Sequence, residues 1–239
     1  MTGTSENIPT IDMGDPLAAQ KLSVVCRDVG FCYLIGHGFS SEEFQTVFRE
    51  SKALFDLPVE EKQKLSDKVM SRGYTAMQEE KLDVKRQTEG DTKEGYYIGW
   101  DISEDHPLYD PAKFRGPNQW PDESMLPNFH PVMEGYHSKM TKVATNVVRL
   151  LAKGLGLEES YFDADFEAPM ATLRLLHYMQ KKSNPEKGIF ACGAHSDFGT
   201  CTLLLTDENP GLQIFYKGEW IDVPPKPNAF VMNLGGESN

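Results

Sequence analysis

Apolar residues recur at three- and four-residue steps over 17–29 (LAAQKLSVVCRDV) and give way to Gly30, a pattern that predicts a helix with a glycine stop. The run FCYLI at 31–35 then predicts a short strand. From Ser40 the pattern turns helical again. Phe44, Val47, Phe48 and Leu54 share a face, and Glu43 follows Ser40 by the three positions of a capping box. Pro58 opens a charged run, PVEEKQKL, that fits a short helix with proline in its first turn. Residues 71–127 lose any period, with one strand expected at 95–99 (GYYIG), and long irregular stretches of this kind are often functional. Val132, Tyr136, Met140, Val143, Val147, Leu150 and Leu151 restore the helical period over 131–155, where Gly154 and Gly156 supply the end.

Beyond that helix the pattern changes to short β-type runs at 171–179, 201–206, 212–216, 219–223 and 229–234, separated by the turn sequences NPEKG, DENPG, KG and PPKPN. Helices first and closely spaced strands after predict an α+β chain whose second half forms a sandwich or jelly roll. Residues 1–120 form an N-terminal helical and strand region, and 121–239 the long helix and the strands. With no repeat or linker between them, one compact unit is expected.

Composition narrows the partners. With 39% hydrophobic and 25% charged residues the chain is an ordinary globular one, and its net charge of −12 repels phosphate backbones and anionic membranes. Nucleic acid and membrane are therefore not expected partners. The polar start, 1–10, lacks a basic segment leading into an apolar run, and a cytoplasmic protein is expected. Cys26, Cys32, Cys192 and Cys201 show no paired C-x-x-C spacing and read as reduced thiols.

The chemistry lies in GIFACGAHSDFGTCTLLLT at 188–206. In an extended chain residues two apart face the same way, so His195 and Asp197 can converge on one point and supply two members of a 2-His-1-carboxylate triad for Fe(II). Spacing alone does not decide it, because a His and an Asp two apart more often bond each other or backbone. The wider pattern does. IPTIDM at 8–13, GFCYLIGHGF at 30–39, LFDLPVEEKQKL at 54–65, KEGYYIG at 93–99, GPNQWP at 116–121, AHSDFGTCTLLL at 194–205 and PGLQIFYKGEWIDVPPKPNAFVMNLG at 210–235 resemble, in order, the landmarks of the plant-type 2-oxoglutarate- and Fe(II)-dependent dioxygenases, the superfamily of isopenicillin N synthase.

That resemblance implies a distorted double-stranded β-helix (jelly roll) with N-terminal helices packed on it. It implies Fe(II) as cofactor, 2-oxoglutarate and O2 as cosubstrates, and oxidation, by default hydroxylation, of a small organic metabolite. His195 and Asp197 carry over as iron ligands. Tyr178, in LRLLHYM at 173–179, carries over as the group that bonds a carboxylate of 2-oxoglutarate, although Met179 stands where the family has proline. Tyr97 and Phe198 are candidate substrate contacts. Past NLGG the family continues to a distal His and an Arg-x-Ser, whereas no histidine follows His195 here. The third ligand and the last core strands are thus expected to be missing, leaving the edges at 171–179 and 229–234 unpaired and prone to self-association. The alternative reading is a truncated, catalytically inactive form that binds a partner. The other histidines, His37, His106, His130, His137 and His177, are expected to be structural or at the surface.

Overall fold

A computed structural model of the chain describes residues 8–236, so the readings of the polar start and of Glu237, Ser238 and Asn239 fall outside the described residues. Helix α1, Ala18–Asp28, buries Ala18, Ala19, Leu22 and Val25, and it stops where the Gly30 N–H donates to the Val25 carbonyl at 2.8 Å. Helix α2, Ser41–Phe55, is opened by the expected capping box. The Ser40 N–H donates to Glu43 Oε2 at 2.7 Å and the Glu43 N–H to Ser40 Oγ at 3.2 Å. In the short helix α3, Val59–Gln63, Pro58 stands just ahead as the cap rather than within the first turn, since its extended backbone (ψ 142°) is not helical. The longest helix, α4, runs Phe129–Gly154. Among the described residues no helix is long and apolar enough to cross a membrane.

Among the described residues ten strands accompany these helices. They are β1 (Thr10–Asp12), β2 (Phe31–Ile35), β3 (Ser66–Asp67), β4 (Arg72–Thr75), β5 (Lys93–Ile98), β6 (Leu173–Tyr178), β7 (Cys201–Leu204), β8 (Gln213–Tyr216), β9 (Glu219–Asp222) and β10 (Phe230–Leu234). The sheets do not keep to one half of the chain, because β2 and β5, from the first half, pair with strands of the second.

The fold divides into two compact units, neither of them a contiguous half, and a cut after residue 120 would run through the second. The first takes the described parts of Met1–Phe44, Lys142–Glu167 and Ser196–Asn239. Its sheet has the order β1-β2-β10-β7, with β1 parallel to β2 and β10 antiparallel to both neighbours, Met232 facing Cys32 on one side and Leu203 on the other. Strand β10 is therefore interior. The expectation of an open edge at 229–234 is corrected: the apolar run that marks Phe230–Leu234 as a strand is satisfied by partners on both sides. Hairpin β8–β9 adds Ile214 and Ile221 to a core with Tyr33, Val223, Ala229 and Val231.

The second unit takes Gln45–Thr141 and Ala168–His195 and holds the antiparallel sheet β3-β4-β5-β6, in which β6 pairs only with β5 among the described residues. Tyr96, fully buried on β5, meets Phe129 edge-on at 5.6 Å between ring centroids.

Candidate metal centre

Segment 193–198 carries no regular structure and β7 begins only at Cys201, so the His-x-Asp pair sits on irregular chain ahead of the strand, not on it. The boundary between the two units falls inside the pair, and each residue is held within its own unit.

His195 is solvent-exposed, and its Nδ1 lies 2.8 Å from the Gly193 carbonyl oxygen and 3.9 Å from Cys192 Sγ. A carbonyl can only accept, so this bond requires the proton on Nδ1, and in the neutral imidazole the lone pair is then on Nε2. Gly193 is itself fixed. Its N–H donates to Asp91 Oδ1 at 2.8 Å, and the same oxygen accepts from Gln87 Nε2 at 2.6 Å. Asp91 also pairs with the Lys93 ammonium, which lies 3.6 Å from Cys192 Sγ.

Asp197 is partly buried, and its Oδ2 accepts from Asn233 Nδ2 at 3.0 Å. The end of β10 runs beside it, with the Gly236 N–H donating to the Asp197 carbonyl at 3.1 Å. A side chain on Gly235 would collide with the Gly199 carbonyl and crowd that of Asp197, so glycine is what allows this close approach. Asn233 was not singled out by sequence reasoning. Its signal was present in the NLG landmark, read there only as a strand.

Tyr178 ends β6 in the same unit as His195. Although 42% of the residue is exposed, removal of its hydroxyl from water, and then the neighbouring Cys192, push its ionisation well above the ordinary phenol range. It stays a protonated donor at neutral pH. Tyr97, on β5, donates to Glu80 Oε1 at 2.8 Å beneath the Arg174 guanidinium, 4.8 Å above its ring. It also lines a cavity of about 110 Å3 with Arg72, Trp100, Phe114 and Arg115. Phe198 is 85% exposed, which removes it from the core.

The other histidines are held structurally, as expected. His37 Nε2 is 3.1 Å from the Asn228 carbonyl, the His106 Nδ1 accepts from the Leu108 N–H, and His130 stacks on Trp120. His137 bonds the Ala171 carbonyl and His177 bonds Glu94. The four cysteines are free, and burial pushes the Cys32 thiol up to about 12 and that of Cys201 to about 11. A neutral imidazole and a carboxylate, the donor types of His195 and Asp197, are ones that Fe(II) takes in a facial triad. Among the described residues no group of three or more His, Cys, Asp or Glu is arranged to hold a metal.

Residues 8–123 match the family described as the N-terminal part of the non-haem dioxygenase in morphine synthesis, and 171–237 match the 2OG-Fe(II) oxygenase superfamily. The 2-oxoglutarate-Fe(II) type oxidoreductase hxnY of Emericella nidulans is 39% identical over 225 residues, 90% of this chain and 63% of that protein. This chain therefore spans a little under two thirds of that relative. Clavatol oxidase claD of Penicillium crustosum is 34% identical over 232 residues, 90% of this chain and 68% of its own. Among solved structures, a full-length Neurospora crassa protein in complex with alpha-KG superposes with a TM-score of 0.82 at 31% identity, over 98% of this chain and 76% of that one.

The chain belongs to the 2-oxoglutarate–Fe(II) oxygenase superfamily. Fe(II) is the cofactor of that family, 2-oxoglutarate and O2 are its cosubstrates, and the jelly roll is its fold.

Proposed function

We propose that this protein is a non-haem Fe(II)- and 2-oxoglutarate-dependent oxygenase that oxidises, by default hydroxylates, a small organic metabolite. His195 and Asp197 are two of the iron ligands. The observation that carries the reading is the state of His195, whose Nδ1 is committed to the Gly193 carbonyl so that Nε2 keeps the lone pair a metal needs. Asp197, oriented by Asn233, supplies the carboxylate. Bound iron would supply the redox centre through which O2 oxidises 2-oxoglutarate and the substrate.

Tyr178 then binds a carboxylate of 2-oxoglutarate, a role its persistently protonated hydroxyl suits. Tyr97, with the aromatic lining of its cavity, and the exposed Phe198 are the substrate contacts. A small-molecule substrate is in keeping with the relatives, since one is named for clavatol and the Neurospora crassa protein has also been solved with thymine.

One experiment separates this reading from a non-catalytic, partner-binding role. Fe(II) is titrated anaerobically into the chain and into His195→Ala and Asp197→Ala, and succinate release is then measured with 2-oxoglutarate and O2. Each substitution is expected to weaken Fe(II) binding roughly tenfold or more. Unchanged binding in both variants overturns the ligand assignment, and binding without any succinate favours the non-catalytic role.

A further inference from the structure

The segment before β5 forms a bed for the loop that carries His195. The Thr88 N–H donates to the Gly188 carbonyl at 3.0 Å and the Thr92 N–H to the Phe190 carbonyl at 3.1 Å. Asp91, 0% exposed, takes the Gly193 N–H at 2.8 Å, and the carbonyl of that same glycine takes His195 Nδ1 at 2.8 Å. Two short, polar links thus join Asp91 to the imidazole. A separate link runs through Lys93, paired with Asp91 and 3.6 Å from the sulfur of Cys192, so that both residues 192 and 193 are held.

Stability does not account for this arrangement. Taking a carboxylate and an ammonium fully out of water costs more than a well-packed apolar pair of the same volume, so a buried ion pair is weak evidence for a stabilising role. What a carboxylate supplies here and an apolar residue would not is an acceptor aimed at one backbone N–H. Gln87 reinforces the aim. Its Nε2 donates to the same Asp91 oxygen at 2.6 Å, while its Oε1 accepts from the Asp83 N–H at 2.7 Å. A side chain at Gly193 would run into Gln87, so the loop cannot shift toward its bed or take a bulkier residue without dislodging this network.

We infer that Asp91 is a positioning residue for His195, holding Gly193 so that its carbonyl fixes the imidazole with Nδ1 protonated and Nε2 presented to metal. This rests on the reading of His195 as an iron ligand, and it assigns to a buried ion pair at the start of β5 the work of setting that ligand's tautomer.

The test uses the full chain, labelled with 15N-histidine, and reads the His195 ring nitrogens by NMR without metal, followed by titration with Co(II). The wild type is expected to show a protonated Nδ1 and an unprotonated Nε2, and the reverse tautomer would overturn the inference with no variant needed. Asp91→Ala is expected to move the two nitrogen shifts toward averaged values and to weaken Co(II) binding by about tenfold or more, the usual effect of losing an outer-shell partner. Asp91→Ala leaves Lys93 with Glu80, 3.2 Å away, as its remaining counter-charge, and Asp91→Ala/Lys93→Met, which removes both charges of the buried pair, is expected to show the same nitrogen shifts in a folded chain. A folded variant with unchanged His195 shifts and unchanged Co(II) affinity sinks the proposal. His195→Ala is the control. If it leaves Co(II) binding intact, the ligand reading fails, whereas the coupling of Asp91 to the imidazole is still decided by the shifts.

Discussion

Asp197 takes a hydrogen bond from Asn233, which is only 8% exposed at the end of β10. An amide donor keeps the carboxylate oriented without neutralising it, which an ammonium would do. Asn233→Leu keeps the volume and removes the donor. It is expected to weaken Co(II) binding by about tenfold while leaving the circular dichroism unchanged, and undiminished Co(II) affinity in a folded variant would show that Asn233 merely packs. His195 and Asp197 could be singled out in the sequence because a motif puts both within three residues, among landmarks that resemble the family's. Asn233 and Asp91 could not, because each acts through a contact with chain 36 or 102 positions away, and no local pattern encodes that.

The elements most legible in the sequence were those whose signal is local. Strand β2 occupies the five expected residues, the capping box of α2 forms as spaced, and the β8–β9 hairpin turns at Lys217 and Gly218. Strands β3 and β4 were missed, being two and four residues long and lying where Gly and Asp erase any period. Pairing was also out of reach, since the apolar run of β10 reads the same whether the strand is interior or an edge. Two glycines show how far local conformation decides the outcome of one substitution. Gly218 sits at φ 88° with open space around it, so Gly218→Ala meets only backbone strain and is expected to cost about 1–2 kcal/mol. Gly135, exposed inside α4 and equally uncrowded, is helical, and Gly135→Ala is expected to gain about 0.5–1 kcal/mol. Urea titration of the two variants checks both signs, and a shift in the same direction for both would refute this account.

Across the molecule the buried charge is unevenly shared. Among the described residues the first unit buries only His37 and Asn233 as polar groups, whereas the second buries Glu50, Lys62, Arg72, Asp91, Lys93 and Glu94. Acid should therefore act first on the second unit. Burial opposes ionisation of Glu94, but hydrogen bonds from His177, Lys62 and Tyr74 and the Lys62 charge outweigh it and hold the carboxyl below its usual range. Glu80 is likewise lowered, its burial outweighed by Arg174, Tyr97 and Lys93. A carboxyl whose folded value lies below the unfolded one, about 4.3 for Glu, stabilises fully above that value. The contribution is lost as pH falls through the folded value. The melting temperature is thus expected to be insensitive to these groups from neutrality down to about pH 5 and to fall below about pH 4.3. Glu94→Gln should flatten that acid limb. It should also lower stability at neutral pH by about 3–5 kcal/mol, because Lys62, 2.6 Å from Glu94 and 5% exposed, is left without its counter-charge. Adding Lys62→Met to Glu94→Gln removes the stranded ammonium and is expected to restore much of the loss while keeping the acid limb flat. If the double variant is no more stable than the single one, the cost lies in packing or in the hydrogen bonds of Tyr74 and His177 rather than in an unpaired charge.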